Sequence, residues 1–176
     1  MKKTTLSILF VILCSSEVSA QYKNWAVGFQ LVDPSGINIR KYFGDNKAFD
    51  VSIGTYGLFY GRSRSYRSGN YHNAGLMVRA TYLWHTTLFG SENLRGYYGF
   101  GGQLNSRRYY FPSRLVANEE EFVNQISLGG SGLAGLEYFI PNNRLSVFVE
   151  AGIYAELIPA FLYLHPESSI GVRMNF

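Results

Sequence analysis

The stretch that decides the fold is "SSIGVRMNF", residues 168–176, in which polar and apolar residues alternate up to the last position of the sequence. Alternate residues of a strand point to opposite faces, so one face carries Ile170, Val172, Met174 and Phe176. Chain ends usually fray unless they are tied down. We therefore expect a strand that is paired to its end, as the closing strand of a barrel must be.

The first twenty residues have the pattern of a secretory signal peptide. Lys2 and Lys3 precede an apolar run that ends at Cys14, and small residues lead to a cleavage site after Ala20. We expect residues 1–20 to be this leader and residues 21–176 to be one exported domain. Because Cys14 is the only cysteine, the exported domain can form no disulfide.

Composition indicates a β-rich protein whose hydrophobicity is spread over alternate positions. The chain holds 14 Tyr, 13 Phe and 19 Gly, its mean hydropathy is −0.04, and 16 basic against 12 acidic residues give a net charge of +4. After the leader no apolar run reaches the length of a transmembrane helix. Export argues against nucleic acid as a partner. Three scattered histidines without cysteines predict neither a metal site nor another cofactor.

Eight segments have the alternation of strands and are separated by turn signals. They cover residues 25–32, 37–43, 48–60, 74–89, 94–106, 125–140, 144–157 and 168–176. Tight turns follow the second, fourth and sixth segments (44–47, 90–93 and 141–143). Longer connections follow the third, fifth and seventh (61–73, 107–124 and a loop through His165), and only the first connection (33–36) breaks this rule. The pattern predicts an all-β, eight-stranded antiparallel up-and-down transmembrane β-barrel with short periplasmic turns and longer external loops.

One face of these strands is apolar and the other is polar, which fits either a soluble lipocalin-like barrel or a membrane barrel. The polar face carries full charges that a lipocalin core would rarely bury: Arg40, Asp50, Arg79, Glu137, Glu150 and Arg173. Aromatic residues gather at strand ends, as interfacial girdles do: Tyr42, Phe43, Phe49, Phe89, Tyr138 and Phe139 by the tight turns, and Phe59, Tyr60, Tyr109 and Tyr110 by the longer loops. Both features favour the membrane barrel.

Two stretches carry a resemblance to a known family. "GINIRKYFGDNKAFDVSIG", residues 36–54, resembles small OmpA/OmpX-like outer-membrane β-barrel proteins of Bacteroidetes-type bacteria, with Asp50 where a glutamate is more usual. The last strand resembles the C-terminal assembly signal of outer-membrane barrels, with Ser169, Gly171, Met174 and Phe176 in the signal positions. The resemblance implies a place in the outer membrane and contact with the barrel assembly machinery during insertion. It implies no common activity.

Three functions remain open for the charged interior. An eight-stranded barrel is about wide enough to be filled by its own side chains, so we expect a lumenal plug of paired charges. A narrow channel for ions or small solutes is the second hypothesis. The third is a lipid-modifying enzyme of the outer leaflet, in which His165, Glu167 and Ser168 or Ser169 would be base, orienter and nucleophile. We expect His85 to point into the lumen, whereas His72 lies in a predicted loop.

The predicted external loops combine cations with aromatic residues. The arginines are Arg62, Arg64 and Arg67 in one loop, and Arg107, Arg108 and Arg114 in the next. Such loops could contact glycolipid phosphates, sugars or another outer-membrane protein. The main prediction is a non-enzymatic outer-membrane barrel with a filled lumen and a structural or interaction role, such as an accessory subunit of a larger complex.

Overall fold

A computed structural model describes residues 24–44, 46–58, 65–66, 69–73, 75–110 and 123–176, with side chains described outside 65–73, 107–110 and 123–124. The predicted signal peptide lies outside these residues. The strands are β1 (Trp25–Asp33), β2 (Ser35–Phe43), β3 (Lys47–Tyr56), β4 (Ser65–Tyr66), β5 (Gly69–Asn73), β6 (Gly75–Leu88), β7 (Ser91–Tyr110), β8 (Val123–Phe139), β9 (Leu145–Ile158) and β10 (Tyr163–Asn175).

Eight of these strands close into an antiparallel barrel in the order β1-β2-β3-β6-β7-β8-β9-β10. β10 pairs with β1 from Ser168 opposite Asp33 to Asn175 opposite Ala26. The Phe176 N–H then donates to the Trp25 carbonyl at 2.7 Å. The last strand is therefore paired to its end, as its alternation predicted. No helix in the described part of the chain is long and apolar enough to cross a membrane.

One end of the barrel carries short turns, and we call it the short-turn end. Here β2 leads to β3, β6 to β7 and β8 to β9. The turn predicted at residues 90–93 is misplaced, because Phe89 and Gly90 form a two-residue turn in which both φ angles are positive (53° and 67°). That combination defines the hairpin turn whose twist matches its flanking strands. Glycine tolerates it, whereas Phe89 does so less readily.

The opposite end, the long-loop end, holds the connections from β3 to β6 and from β7 to β8, as well as two short ones. Only Pro34 separates β1 from β2, and residues 159–162 separate β9 from β10. The predicted loop through His165 is therefore wrong, since β10 already begins at Tyr163. Pro166 lies within β10, beyond the last pair of β10 with β1 at Ser168, on a stretch that has only β9 as its neighbour. Proline is tolerated at such an edge.

The predicted polar loop at residues 61–73 also contains structure. β4 and β5 form a hairpin, and β5 pairs with the upper part of β7, with Asn70 opposite Tyr110. β7 and β8 extend past their predicted limits, so that Tyr109 still pairs with Val123. The extended β7 offers a strand edge on which β5 can pair, which local sequence patterns do not reveal.

The outer wall of the barrel is apolar on every barrel strand, as the alternation predicted. Exposed side chains include Phe29, Ile39, Ile53, Val78, Phe100, Leu136, Val149 and Val172. An aromatic group surrounds Trp84 near the short-turn end, with Tyr82, Tyr98 and Phe100 at centroid distances of 4.8, 5.7 and 5.3 Å. An apolar outer band with aromatic side chains near one rim is typical of the surface of a transmembrane barrel.

Tyr42 does not belong to the outer girdle in which it was predicted. Its hydroxyl lies 3.2 Å from a Glu137 carboxylate oxygen, and its ring packs 5.6 Å from the ring of His85. Tyr42 shares the inward face of β2 with Asn38 and Arg40 because it is an even number of residues away from both. The described girdle members at this end are Phe43, Phe49, Phe89 and Tyr138, whereas Phe139 shares the inward side of β8 with Glu137. Tyr109 and Tyr110 belong to β7 but their side chains lie outside the described set, as do Phe59 and Tyr60 entirely.

Glycines on the inner wall make room for large lumenal side chains. A methyl group added at Gly135 would lie 2.6 Å from the Tyr97 ring, and one at Gly171 would lie 2.5 Å from the Phe148 ring. Both contacts are too short for a real carbon atom. Gly171 therefore has a packing role in addition to its place in the predicted assembly signal.

Candidate functional site: the lumenal network

The candidate site is a group of seven charged side chains inside the barrel, which we call the lumenal network: Arg40, Asp50, Arg79, Glu137, Glu150, Glu167 and Arg173. All of them are at least 95% buried. They come from β2, β3, β6, β8, β9 and β10, on inward positions of each strand. The strands place them there because each lies on the polar side of its alternation.

Arg40 is the hub at the short-turn half of the lumen. Its Nε donates to Asp50 at 2.9 Å, its Nη1 to Glu137 at 3.1 Å, and its Nη2 to Glu150 at 3.1 Å. Each nitrogen of one guanidinium group thus serves a carboxylate from a different strand. The planar fork of arginine suits this arrangement, since its five donors point in fixed directions.

Arg173 forms a second layer against the same acids. Its Nη2 donates to Glu150 at 2.8 Å, and its Nη1 lies 3.3 Å from Glu137. Two aromatic rings support the cations, because Arg173 lies 3.4 Å from the centre of the Phe148 ring and Arg40 lies 4.5 Å from that of Tyr97. Cation–π contact of this kind strengthens when the groups are removed from water.

Arg79 extends the network toward the long-loop end. It donates to Glu150 at 3.2 Å and to Glu167 at 3.1 Å. Glu150 therefore contacts all three arginines and also accepts a hydrogen bond from the Tyr97 hydroxyl at 2.7 Å. Its carboxylate is the shared acceptor on which the network depends.

Neutral polar groups complete the hydrogen bonding around the charges. Ser146 donates to Glu137 at 2.6 Å, Gln103 donates to Glu167 at 2.6 Å, and Ser52 donates to Asp50 at 2.9 Å. Removing a carboxylate from water costs several kcal/mol, so buried ions need such partners as well as opposite charges. Sequence reasoning did not single out these groups, although all lie on the inward side of the alternation.

The six charges selected from the sequence all lie in this network, and the structure adds Glu167 as a seventh. Glu167 was considered only as part of a catalytic group, because β10 was expected to begin at Ser168. The inward spacing of Glu167, Ser169 and Arg173 would have revealed it once the strand was extended. No group of three or more His, Cys, Asp or Glu in the described chain is arranged to hold a metal ion.

His165, the candidate base of the enzyme hypothesis, lies inside the barrel and not in a loop. His165 is fully buried, and its Nε2 lies 3.4 Å from an Asp33 carboxylate oxygen. The other Asp33 oxygen accepts the Gly57 N–H at 2.9 Å. Glu167 contacts Arg79, and Ser169 lies 3.5 Å from Glu150, so the three candidate residues face different partners. Ser168 lies on the opposite, outward side of the strand. His85 points into the lumen as expected and packs 5.2 Å from the Tyr97 ring.

The described side chains leave little free space beside the network. The cleft lined by Arg79, Glu150, Glu167 and Ser169 has no room for a molecule the size of water. Tyr97, Phe148 and Leu133 fill the inner wall around it, each less than a tenth exposed. A filled interior is what an eight-stranded barrel allows.

The other predicted site residues are less completely described. Arg62, Arg64, Arg67 and Arg114 lie outside the described residues, and Arg107, Arg108 and His72 lie in strands whose side chains are not described. Within the predicted assembly signal, Ser169 and Gly171 face the lumen, whereas Met174 lies on the outward side next to Arg173. Phe176 is 39% exposed beside Trp25.

Two solved structures resemble this fold. The N-terminal β-barrel domain of Pseudomonas aeruginosa OprF superposes with a TM-score of 0.61 at 18% identity, over 89% of this chain and 100% of that domain. Neisserial surface protein A has a TM-score of 0.49 at 17% identity, over 86% of this chain and 93% of its own. No family model matches the sequence, and no curated protein does. The likeness to the OprF domain supports the transmembrane barrel fold.

Proposed function

We propose that this protein is a non-enzymatic outer-membrane β-barrel whose lumen is sealed, so that it acts through its rim and wall in a structural or interaction role. The lumenal network carries this proposal. Arg40 on β2 reaches Glu137 on β8 and Glu150 on β9, so its contacts cross the barrel interior. A solute on this path would have to separate buried ion pairs.

The energy of that separation is large compared with thermal energy. Breaking a buried ion pair by removing one partner costs about 3–5 kcal/mol. Glu150 alone has three cationic partners. The network therefore favours a plug over the alternative of a narrow channel for small solutes.

The outer membrane is the location that fits best. Three features support it: the leader-like start, the resemblance to small Bacteroidetes-type outer-membrane barrels, and an apolar wall of strands. In the outer membrane, the long-loop end would face the outside of the cell. The arginine-rich loops would then contact glycolipid, sugar or another outer-membrane protein. The last strand would meet the barrel assembly machinery during insertion.

Planar-bilayer recording tests the sealed lumen. The purified wild-type protein should give no steady conductance, whereas Arg40→Ser combined with Glu150→Ser should open small steady steps because both hubs are gone. Glu92→Ala is the matched control, since Glu92 is an exposed rim acid. Steady conductance of the wild-type protein would overturn the plug.

Two further measurements address the interaction role. The lipid A mass spectrum of a deletion strain should match that of the wild type and of His165→Ala; altered acylation in the deletion strain would support the enzyme instead.

A mild-detergent pull-down should recover another outer-membrane protein in a stoichiometric amount. Recovery of the barrel alone would count against an accessory subunit.

A further inference from the structure

The hairpin between β9 and β10 ends in an exposed apolar tip, residues 157–164, with the sequence "LIPAFLYL". Phe161 is 73% exposed, and Ile158 and Leu162 are each 62% exposed. The tip has no charged residue. By contrast, the turn from β8 to β9 at the other end of the barrel contains Asn142, Asn143 and Arg144. A rigid apolar surface of this kind at the end of a strand pair marks a contact with something other than water.

The tip is held in place from within. The buried Glu156 carboxylate accepts the Ala160 N–H at 3.0 Å, and its main-chain carbonyl accepts the Leu162 N–H at 2.9 Å. The Tyr163 N–H donates to the Ala160 carbonyl at 3.0 Å. Because the inward carboxylate of Glu156 accepts a backbone N–H of the turn, the turn is held from inside the barrel and its apolar side chains face outward.

Leu162 provides a second observation. Its φ angle is +61°, a left-handed conformation that glycine or asparagine adopts more easily than leucine. A bulky apolar residue in this position is maintained at a local cost in conformational energy. Transfer of the leucine side chain out of water would lower the free energy and offset this cost.

Along β9, the tip continues the lipid-facing wall without a polar break. Outward positions on β9 run through Leu145, Val147, Val149, Ala151, Ile153, Ala155 and Leu157. At about 3.3 Å per residue and a tilt of about 40°, the path from Leu145 to Leu157 rises roughly 30 Å along the membrane normal. The apolar band of such barrels is about 25 Å tall. The tip therefore reaches the headgroup region of the leaflet at the long-loop end, not the open solvent.

We propose that the β9–β10 tip is a membrane anchor whose side chains Ile158, Phe161 and Leu162 insert at the headgroup–acyl boundary of that leaflet. Continuity with the lipid-facing wall favours lipid over a protein as the partner. Such an anchor holds one side of the rim at a fixed depth next to the much shorter β1–β2 connection. The inference needs the transmembrane fold but not the sealed lumen, so a conducting barrel would leave it standing.

Spin-label accessibility tests the anchor. In a Cys14→Ser background, Phe161→Cys carries a nitroxide in the full protein, reconstituted into dioleoylphosphatidylcholine vesicles. Asn142→Cys in the polar turn is the aqueous control, and Val149→Cys on the outer wall is the lipid control. The collision ratio of the label with oxygen over a water-soluble nickel chelate should be severalfold higher at position 161 than at 142, and lower than at 149, which lies deeper in the bilayer.

A ratio at position 161 equal to that at 142 would overturn the anchor, because the tip would then lie in water. A label shielded from both reagents would also overturn it, since the tip would then be packed against protein. Folding of each variant is checked by the shift in electrophoretic mobility between unheated and boiled samples. Leu162→Cys replaces Phe161→Cys if the latter does not fold.

Discussion

In this barrel the charged side chains face inward and the apolar side chains face outward, which is the reverse of a soluble protein. Glu150 is almost fully buried and contacts three arginines, whereas its neighbour Val149 is 48% exposed on the wall. One step along β9 thus separates the centre of an ion network from a lipid-facing aliphatic group. The alternation of a strand determines which residues share a face, while the surrounding solvent determines which face may be charged.

The largest effect should come from removing the shared acceptor of the network. Glu150→Ala removes the ion pairs of Arg40, Arg79 and Arg173 with their common partner, and breaking a buried ion pair by removing one partner costs about 3–5 kcal/mol. The free energy of unfolding, from urea titration in vesicles followed by tryptophan fluorescence, should fall by this amount. Glu92→Ala, an exposed acid at the rim, should change it by less than about 0.5 kcal/mol. Equal losses in the two variants would show that the lumen does not depend on its pairing.

The complementary change places a charge on the wall. Val149→Arg should destabilise the inserted barrel by about 2–4 kcal/mol if the position lies near the bilayer midplane. Leu145→Arg, on the same face at the short-turn rim, should cost only about 0–1 kcal/mol. Both values come from the same vesicle titration. If Val149→Arg cost no more than Leu145→Arg, the wall would not be in lipid.

A smaller effect should distinguish inner from outer glycines. Gly135→Ala would drive a methyl group against the Tyr97 ring, and overpacking of this kind costs about 1–3 kcal/mol. Gly132→Ala on the outer wall has its nearest neighbour atom 3.9 Å away and should be nearly neutral. A neutral Gly135→Ala would mean that Tyr97 moves freely, contrary to its contacts with Glu150 and Arg40.

The smallest effect is expected at the outer rim. Lys41 lies 5.0 Å from the centre of the Trp25 ring, and an exposed cation–π pair contributes about 0.5–1 kcal/mol. Lys41→Gln should therefore lower the free energy of unfolding by no more than this amount. A loss as large as that of Glu150→Ala would contradict the view that charges matter chiefly inside.

The sequence was sufficient to predict the barrel, the number of its strands and the inward face of six of the seven charges in the lumenal network. Alternation is a local property, so Val149 and Glu150 could be assigned without knowing their neighbours in space. Pairing across the lumen could not be predicted, because the contact of Arg40 with Glu137 depends on side-chain reach and on the register of six other strands. The prediction started the last strand at residue 168, whereas β10 begins at Tyr163 and includes Pro166, which is compatible with a strand where only one side is paired.

Closure of the barrel by β1 and β10 has a consequence for how the molecule forms. Arg40 and Glu150 are 110 positions apart, and Arg173 and Asn38 are 135 apart. These charged and polar groups come together only when the two ends of the sheet meet. A partly formed sheet in hydrocarbon would hold bare charges with no water to solvate them. Formation of the cylinder and its passage into the bilayer must therefore advance together, as a single concerted event.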